Sequence, residues 1–272
     1  MMRDEWVAWL DLARALAAEA GARILAIYAT AFGVTTKEDD SPLTAADLAA
    51  HHTILAGLRR LTPNVPVLSE ESAALPFTER SRWRRYWLVD PLDGTKEFVQ
   101  RNGQFTVNIA LIEEREPVLG VVRAPVTGLC YFAARGYGAF REEPGQPPRP
   151  IRVKPLQGGQ PVRVVGSRSH GGPGLQKFAS AVGTHELVTI GSSLKFCQVA
   201  EGAADVYPRL GPTSEWDTAA AQAIVETAGG RVVSAETGEP LRYNTRESLL
   251  NPYFIVYGDA SRDWLRYVPR EG

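Results

Sequence analysis

Trp87-Leu88-Val89-Asp90-Pro91-Leu92-Asp93-Gly94-Thr95-Lys96-Glu97-Phe98 is the stretch from which the rest of the chain is read. A strand expected over residues 86–90 delivers Asp90 at its end, and Pro91 fixes the next φ. Asp93 returns three residues later, before a glycine that lets the backbone turn. Two carboxylates on such a bend can face one point, with the Leu92 carbonyl between them. All three are hard oxygen donors of the kind Mg²⁺ takes. Gly94 and Thr95 then offer N–H groups and a hydroxyl to an anion held by that metal. The alternative is a plain Asp-Pro and Asp-Gly turn whose acids bond only nearby amides.

Other polar groups fall at the ends of expected elements. Ser69-Glu70-Glu71-Ser72 follows a short apolar strand at 65–69, and adjacent acids on a strand point to opposite sides, so at most one of Glu70 and Glu71 faces the site. Thr44-Ala45-Ala46-Asp47 has the form of a capping box, and Asp217 opens an alanine-rich helix, so both aspartates read locally as caps. The functional alternative for Asp47 is a carboxylate that polarises a hydroxyl or a water. Lys195, in Gly191-Ser192-Ser193-Leu194-Lys195-Phe196, puts a cation in the first turn of a helix, against the dipole. An anion bound there would reverse that argument. Ser167-Arg168-Ser169-His170 adds donors after a strand at 162–166.

Helix periodicity runs from Trp6 to Ile27 and again from about Thr44 to Leu61. Alternating strands are expected at 105–112, 118–123 and 129–133, and the segment 142–159, rich in Pro, Gly and Gln, is the candidate boundary. Beyond it strands at 162–166, 187–191, 204–207, 231–233 and 254–257 alternate with helices at 175–182, 193–202, 217–228 and 259–267. Such mixed order means layered α/β or α+β architecture. The expected organisation is one compact unit of two halves: 1–150 with most of the candidate metal-ligating acids, and 151–272 with Asp217 and the candidate anion donors Lys195 and Ser167–His170.

Charged residues at 22% and hydrophobic ones at 44% exclude a disordered chain or a coiled coil, and a net charge of −1 argues against a general nucleic-acid or membrane-surface binder. Cys130 and Cys197 match no zinc or redox spacing and read as buried thiols. The N-terminal residues read as an amphipathic helix, not a signal peptide, and no apolar run reaches membrane-spanning length, so the expectation is a cytoplasmic protein. Only five of the 30 basic residues are lysines, which draws notice to Lys96 and Lys195.

Taken in order, Lys37-Glu38-Asp39-Asp40-Ser41-Pro42-Leu43-Thr44-Ala45-Ala46-Asp47, Ser69-Glu70-Glu71, Asp90-Pro91-Leu92-Asp93-Gly94-Thr95 and Trp216-Asp217-Thr218-Ala219-Ala220 resemble the inositol-monophosphatase superfamily. Its members are Mg²⁺-dependent, lithium-sensitive phosphomonoesterases. Thr95-Lys96-Glu97-Phe98, residues 101–108, Ser167–His170, Gly191–Cys197 and Tyr207-Pro208-Arg209 are similar to the branch that hydrolyses adenosine 3′,5′-bisphosphate to AMP and phosphate. The resemblance implies a layered αβαβα sugar-phosphatase fold (α+β) and a part in sulfur metabolism through recycling of that nucleotide. It implies two or three Mg²⁺ ions on Glu70, Asp90, the Leu92 carbonyl, Asp93 and Asp217, with Glu71 in support. Asp47 and Thr95, with Glu70, would activate the water for in-line attack without a phosphoenzyme. Asp93, Gly94, Thr95, Ser167, His170, Gly191, Lys195 and Asp217 would contact the substrate. The implied partner is a small nucleotide, with its 5′-phosphosulfate relative a second candidate; nucleic acid and an integral membrane segment are not expected. The resemblance leaves open the oligomeric state and peripheral association with the inner membrane. A related inositol or sugar monophosphatase and a nucleotide-sensing binding protein are the alternatives.

Overall fold

The structure, a computed structural model, describes residues 2–31, 33–36, 42–73, 75–166 and 172–269. The first half runs α1 (Met2–Tyr28), β1 (Val34–Thr36), β2 (Pro42–Thr44), α2 (Ala45–Leu61), β3 (Val67–Ser69), α3 (Phe77–Arg80), β4 (Arg85–Asp93) and α4 (Thr95–Val99). Five strands follow: β5 (Thr106–Glu113), β6 (Glu116–Arg123), β7 (Cys130–Ala134), β8 (Gly138–Glu142) and β9 (Arg149–Pro150). The second half runs β10 (Val162–Gly166), α5 (Pro173–Val182), β11 (His185–Thr189), α6 (Leu194–Ala200) and β12 (Val206–Arg209). It ends with α7 (Glu215–Thr227), β13 (Arg231–Ser234) and β14 (Phe254–Tyr257).

Strands β3 to β9 form a seven-stranded sheet in sequence order, and β11-β10-β12-β14-β13 form a five-stranded one. Only the β3–β4 pair is parallel in the first sheet, whereas β10 pairs in parallel with both β11 and β12 in the second. The layers follow from the two-residue period of each strand. On β4, Trp87 and Val89 face the core under α1 and α2, while Tyr86 and Leu88 face the opposite core with α6 and α7. On β12, Tyr207 joins that same central core and Val206 turns outward to Phe178 of α5 and to Trp264. Three cores therefore run through five layers, α1/α2, large sheet, α6/α7, small sheet and α5, the central core lying on both faces of α6/α7. This is the αβαβα order that the resemblance implies. The central core draws on residues from both sides of position 150, among them Leu88, Val122, Phe196 and Phe254.

Helix α7 lies close to the large sheet because its packing face is alanine. At Gly120 on β6 a Cβ would stand 2.0 Å from the Ala220 carbonyl oxygen, so only glycine admits the helix at this depth. That approach sets how near α7 comes to the end of β4. The start of α7 is clamped from another side: Glu215 accepts the Asn244 N–H on both carboxylate oxygens, at 3.0 and 2.8 Å, and Arg80 donates to Asn244 Oδ1 at 2.5 Å.

The expected final helix at 259–267 reduces to a single turn, Leu265–Tyr267, because Asp259 instead accepts N–H bonds from Leu156 and Ser261. The segment expected as an open connection carries β9 and buries Ile151. Cys130 and Cys197 are both buried thiols. Among the described residues no helix is long and apolar enough to cross a membrane.

Candidate active site

A bulge in β4 explains how two acids three residues apart can meet. Residues i and i+3 of a regular strand face opposite sides. Asp90 pairs with Asn108, but Asp93 pairs with Thr106, so β4 spends three steps where β5 spends two. The extra residue turns the second acid back to the side of the first. The Leu92 N–H bonds Asp90 Oδ1 at 3.0 Å inside the bulge. Asp93 Oδ2 accepts the Ser193 N–H at 2.6 Å. The Ser193 hydroxyl sits 2.7 Å from both that oxygen and the Asp217 carbonyl oxygen, which joins β4, α6 and α7 at one point.

Glu70 and Glu71 stand on one 3₁₀ turn after β3 rather than on the strand itself. Ser69, just before them, is held by His51 of α2, with Nδ1 2.9 Å from Oγ. Glu70 borders Asp90: burial holds the Asp90 carboxyl well above the usual range, and the charges of Glu70, Asp93 and Asp217 push the same way. Asp217 is pushed up to about 8 by desolvation at the cavity wall and then by Asp93, against the pull of the Ser214 N–H. That N–H, 2.9 Å from Asp217 Oδ2, closes the capping box of α7. Asp47 repeats the pattern. Its Oδ2 accepts the Thr44 N–H and hydroxyl at 2.8 and 2.7 Å, while its Oδ1 lies 3.3 Å from the Thr95 hydroxyl. Both aspartates are caps, and each also lies at the cavity, Asp217 on its wall and Asp47 against Thr95.

Beside these acids lies a cavity of about 200 Å³ lined by Asp93, Gly94, Thr95, Asp217, Lys195 and Arg209, among others. Lys195 is 8% exposed, and its Nζ lies 5.8 Å from the centre of the Tyr207 ring. Burial lowers its pKa; Asp93, Glu97 and Asp217 oppose that, and Arg209 adds to it. Ser192 Oγ, Arg209 Nε and Thr213 Oγ1 are buried on this wall with no hydrogen-bond partner among the described residues. Orphaned polar atoms at a cavity mark where a polar ligand completes the bonding. The cavity thus carries carboxylates, Asp93 and Asp217 among them, together with the cations Lys195 and Arg209.

The sequence matches the inositol monophosphatase family over residues 5–260. The chain belongs to that family. It is 54% identical over 243 residues to the 3′(2′),5′-bisphosphate nucleotidase CysQ of Salmonella typhimurium, covering 89% of this chain and 96% of that one. To the CysQ of Escherichia coli strain K12 it is 52% identical over 249 residues, 91% of this chain and 98% of that one. Among solved structures it resembles CysQ from Bacteroides thetaiotaomicron, with a TM-score of 0.78 and 43% identity over 91% of this chain and 95% of that one.

Of the residues expected from the sequence, the structure brings Asp93, Gly94, Thr95, Lys195 and Asp217 to the cavity of this inositol monophosphatase family member. Asp90 is buried behind them and Asp47 behind Thr95. Gly191 donates its N–H to Gln104 Oε1 at 2.9 Å. Ser167 and His170 lie outside the described residues. Ser192, Arg209 and Thr213 were not assigned from the sequence; the first two sit in motifs that carry the resemblance, and Thr213 has no local signal at all. Among the described residues no group of three His, Cys, Asp or Glu side chains stands in an arrangement that would hold a metal ion. The fit of a cation rests on donor chemistry. The oxygens of Glu70, Asp90, Leu92, Asp93 and Asp217 suit a hard divalent ion, and positive charge would relieve the repulsion that raises Asp90 and Asp217.

Proposed function

We propose that this chain hydrolyses the 3′-phosphate of adenosine 3′,5′-bisphosphate to AMP and phosphate. The observation that carries the reading is that Lys195, Arg209 and the unpartnered Ser192 hydroxyl share one cavity with Asp93 and Asp217. The scissile phosphate belongs beside Asp93, Gly94 and Thr95, and a second anionic group belongs against Lys195, Arg209 and the Ser192 hydroxyl. A second anionic group would add to the carboxylates that offset the desolvation of buried Lys195, which a substrate with one phosphate does not do. The CysQ relatives, more than half identical over nearly the whole chain, carry this activity in their name.

Mg²⁺, whose requirement is general to the family, would be held by Glu70, Asp90, the Leu92 carbonyl, Asp93 and Asp217, and would supply positive charge and make water more acidic. The chain's own groups handle the proton. The Thr95 hydroxyl donates toward Asp47 Oδ1, so a lone pair of Oγ1 is turned to accept the proton of the attacking water. Asp47 is fixed for this because its other oxygen is locked by Thr44. The N–H groups of Gly94 and Thr95, at the start of α4, face the phosphoryl oxygens as their charge shifts. Water's oxygen bonds to phosphorus as the bond to the ribose 3′-oxygen breaks, with no covalent enzyme intermediate: both thiols are buried away from the cavity.

The test is phosphate release from adenosine 3′,5′-bisphosphate beside inositol 1-phosphate, each with Mg²⁺, with EDTA and with Li⁺. A Mg²⁺-dependent, Li⁺-inhibited preference for the nucleotide is the expected result. Preference for the inositol ester would overturn the reading of Lys195 and Arg209 as a second anion's site, and turnover of neither would favour a sensor. Lys195→Ala is expected to raise KM for the bisphosphate about tenfold or more, in keeping with the strength of charged contacts to phosphate. Equal effects on adenosine 3′-monophosphate would place Lys195 outside the second anion's site.

A further inference from the structure

We infer that Gln104 is a positioning residue, which fixes the segment Gly191-Ser192-Ser193 from the opposite half of the chain and so sets Lys195 in the cavity. The inference rests on the substrate reading above. The turn between α4 and β5 is held from several directions. Arg101 donates to the Tyr28 and Thr30 carbonyls at 2.5 Å each, the Asn102 N–H bonds the Glu97 carbonyl at 3.2 Å, and the Gln104 N–H bonds Asn102 Oδ1 at 2.9 Å. Gln104 is therefore presented in one place. Its Oε1 accepts the Gly191 N–H at 2.9 Å. A Cβ on residue 191 would stand 2.7 Å from the Gln104 carbonyl oxygen and 3.0 Å from Glu97 Cγ, so backbone lies against backbone here.

The next residue shows what this tie does. Ser192 has φ 47°, a left-handed conformation that a non-glycine residue keeps only when its surroundings enforce it. The peptide N–H groups on both sides of it are taken by side chains of the large-sheet half: Gly191 by Gln104, and Ser193 by Asp93. Asp93 has a second duty at the reaction centre. Gln104 has none, so it is the tie dedicated to shape. The first turn of α6 is built on this segment, with the Lys195 N–H bonding the Ser192 carbonyl and the Phe196 N–H that of Ser193. A shift at Ser192 moves Lys195 and withdraws the unpartnered Ser192 hydroxyl from the cavity wall.

Gln104→Met keeps length and removes the acceptor; Gln104→Glu keeps an acceptor. The full chain is measured with adenosine 3′,5′-bisphosphate and adenosine 3′-monophosphate, alongside amide hydrogen exchange across residues 191–196. Gln104→Met is expected to raise KM about tenfold for the bisphosphate alone, to hold kcat within twofold, and to speed exchange across 191–196. Gln104→Glu is expected to restore both. Where Gln104→Met does not fold, Gln104→Asn, which withdraws the acceptor by one methylene, is read in its place. Unchanged exchange across 191–196, or an equal rise of KM on both nucleotides, overturns the inference. If the wild-type protein does not prefer the bisphosphate, the substrate reading falls, and the exchange measurement alone decides whether Gln104 holds the segment.

Discussion

Asp93→Asn is expected to lose more than about 100-fold in kcat while folding almost as stably as the parent. Loss of a partner that merely supports a metal ligand costs ~10–100-fold, and a ligand itself should cost more. The structural part of the side chain survives in the amide, because one oxygen remains to accept the Ser193 N–H and hydroxyl now bound by Oδ2. Exchanging a charged acceptor for a neutral one costs on the order of 1 kcal/mol. Against that, Asp93 is among the charges that hold Asp90 and Asp217 above the usual range, so its removal relieves the cluster when no cation is bound. The urea midpoint in EDTA should therefore shift little in either direction. Phosphate release and urea denaturation on the same preparation check the two halves of the expectation. Full activity in Asp93→Asn would remove this residue from the metal site.

The aspartates show where local sequence reasoning stops. Asp47 and Asp217 each carry the signature of a helix cap, and the caps are present. A carboxylate has two oxygens, however, and at both positions one oxygen caps while the group as a whole still reaches the site. A cap and a functional group are thus compatible at the third position of a helix, and position alone cannot choose between them. The bulge in β4 is a different case. Asp90 and Asp93 are legible as a pair, but the register that turns them to one side is set by pairing with β5 and has no local mark beyond Pro91.

Elements with a clear apolar pattern were legible, short strands such as β13 and β14 included, and the shortest helices were not. The five-residue α4 and the four-residue α3 are too short for helical periodicity to register, yet α4 presents Thr95 and α3 carries Arg80. Arg80 meets Asn244 across 164 positions, and Gln104 meets Gly191 across 87. Contacts of that range are products of layer stacking. Gln104 and Gly191 both fall in motifs that carry the resemblance, but only the fold places one on the other.

Thr95→Val should lower kcat by about 10²–10⁴-fold with KM nearly unchanged, the range that a positioned proton acceptor supplies. Valine matches threonine in shape, and Thr95 caps nothing, so stability should hold. Asp47→Asn is expected to lose a similar factor and, in addition, roughly 0.5–2 kcal/mol of stability, because Oδ2 also closes the cap on Thr44. The asparagine has one oxygen. If that oxygen keeps the cap, its amide nitrogen faces Thr95, and the hydroxyl must accept where it previously donated. The hydroxyl then has no carboxylate to take its own proton as it accepts one from the attacking water, although it is still present. The two groups thus act as one proton path, and the double variant should be no slower than the slower single one. Kinetics on the three variants and a thermal melt of each check this. A double variant slower by the product of both factors would mean independent roles, and Thr95→Val within tenfold of the parent would take its hydroxyl off the path.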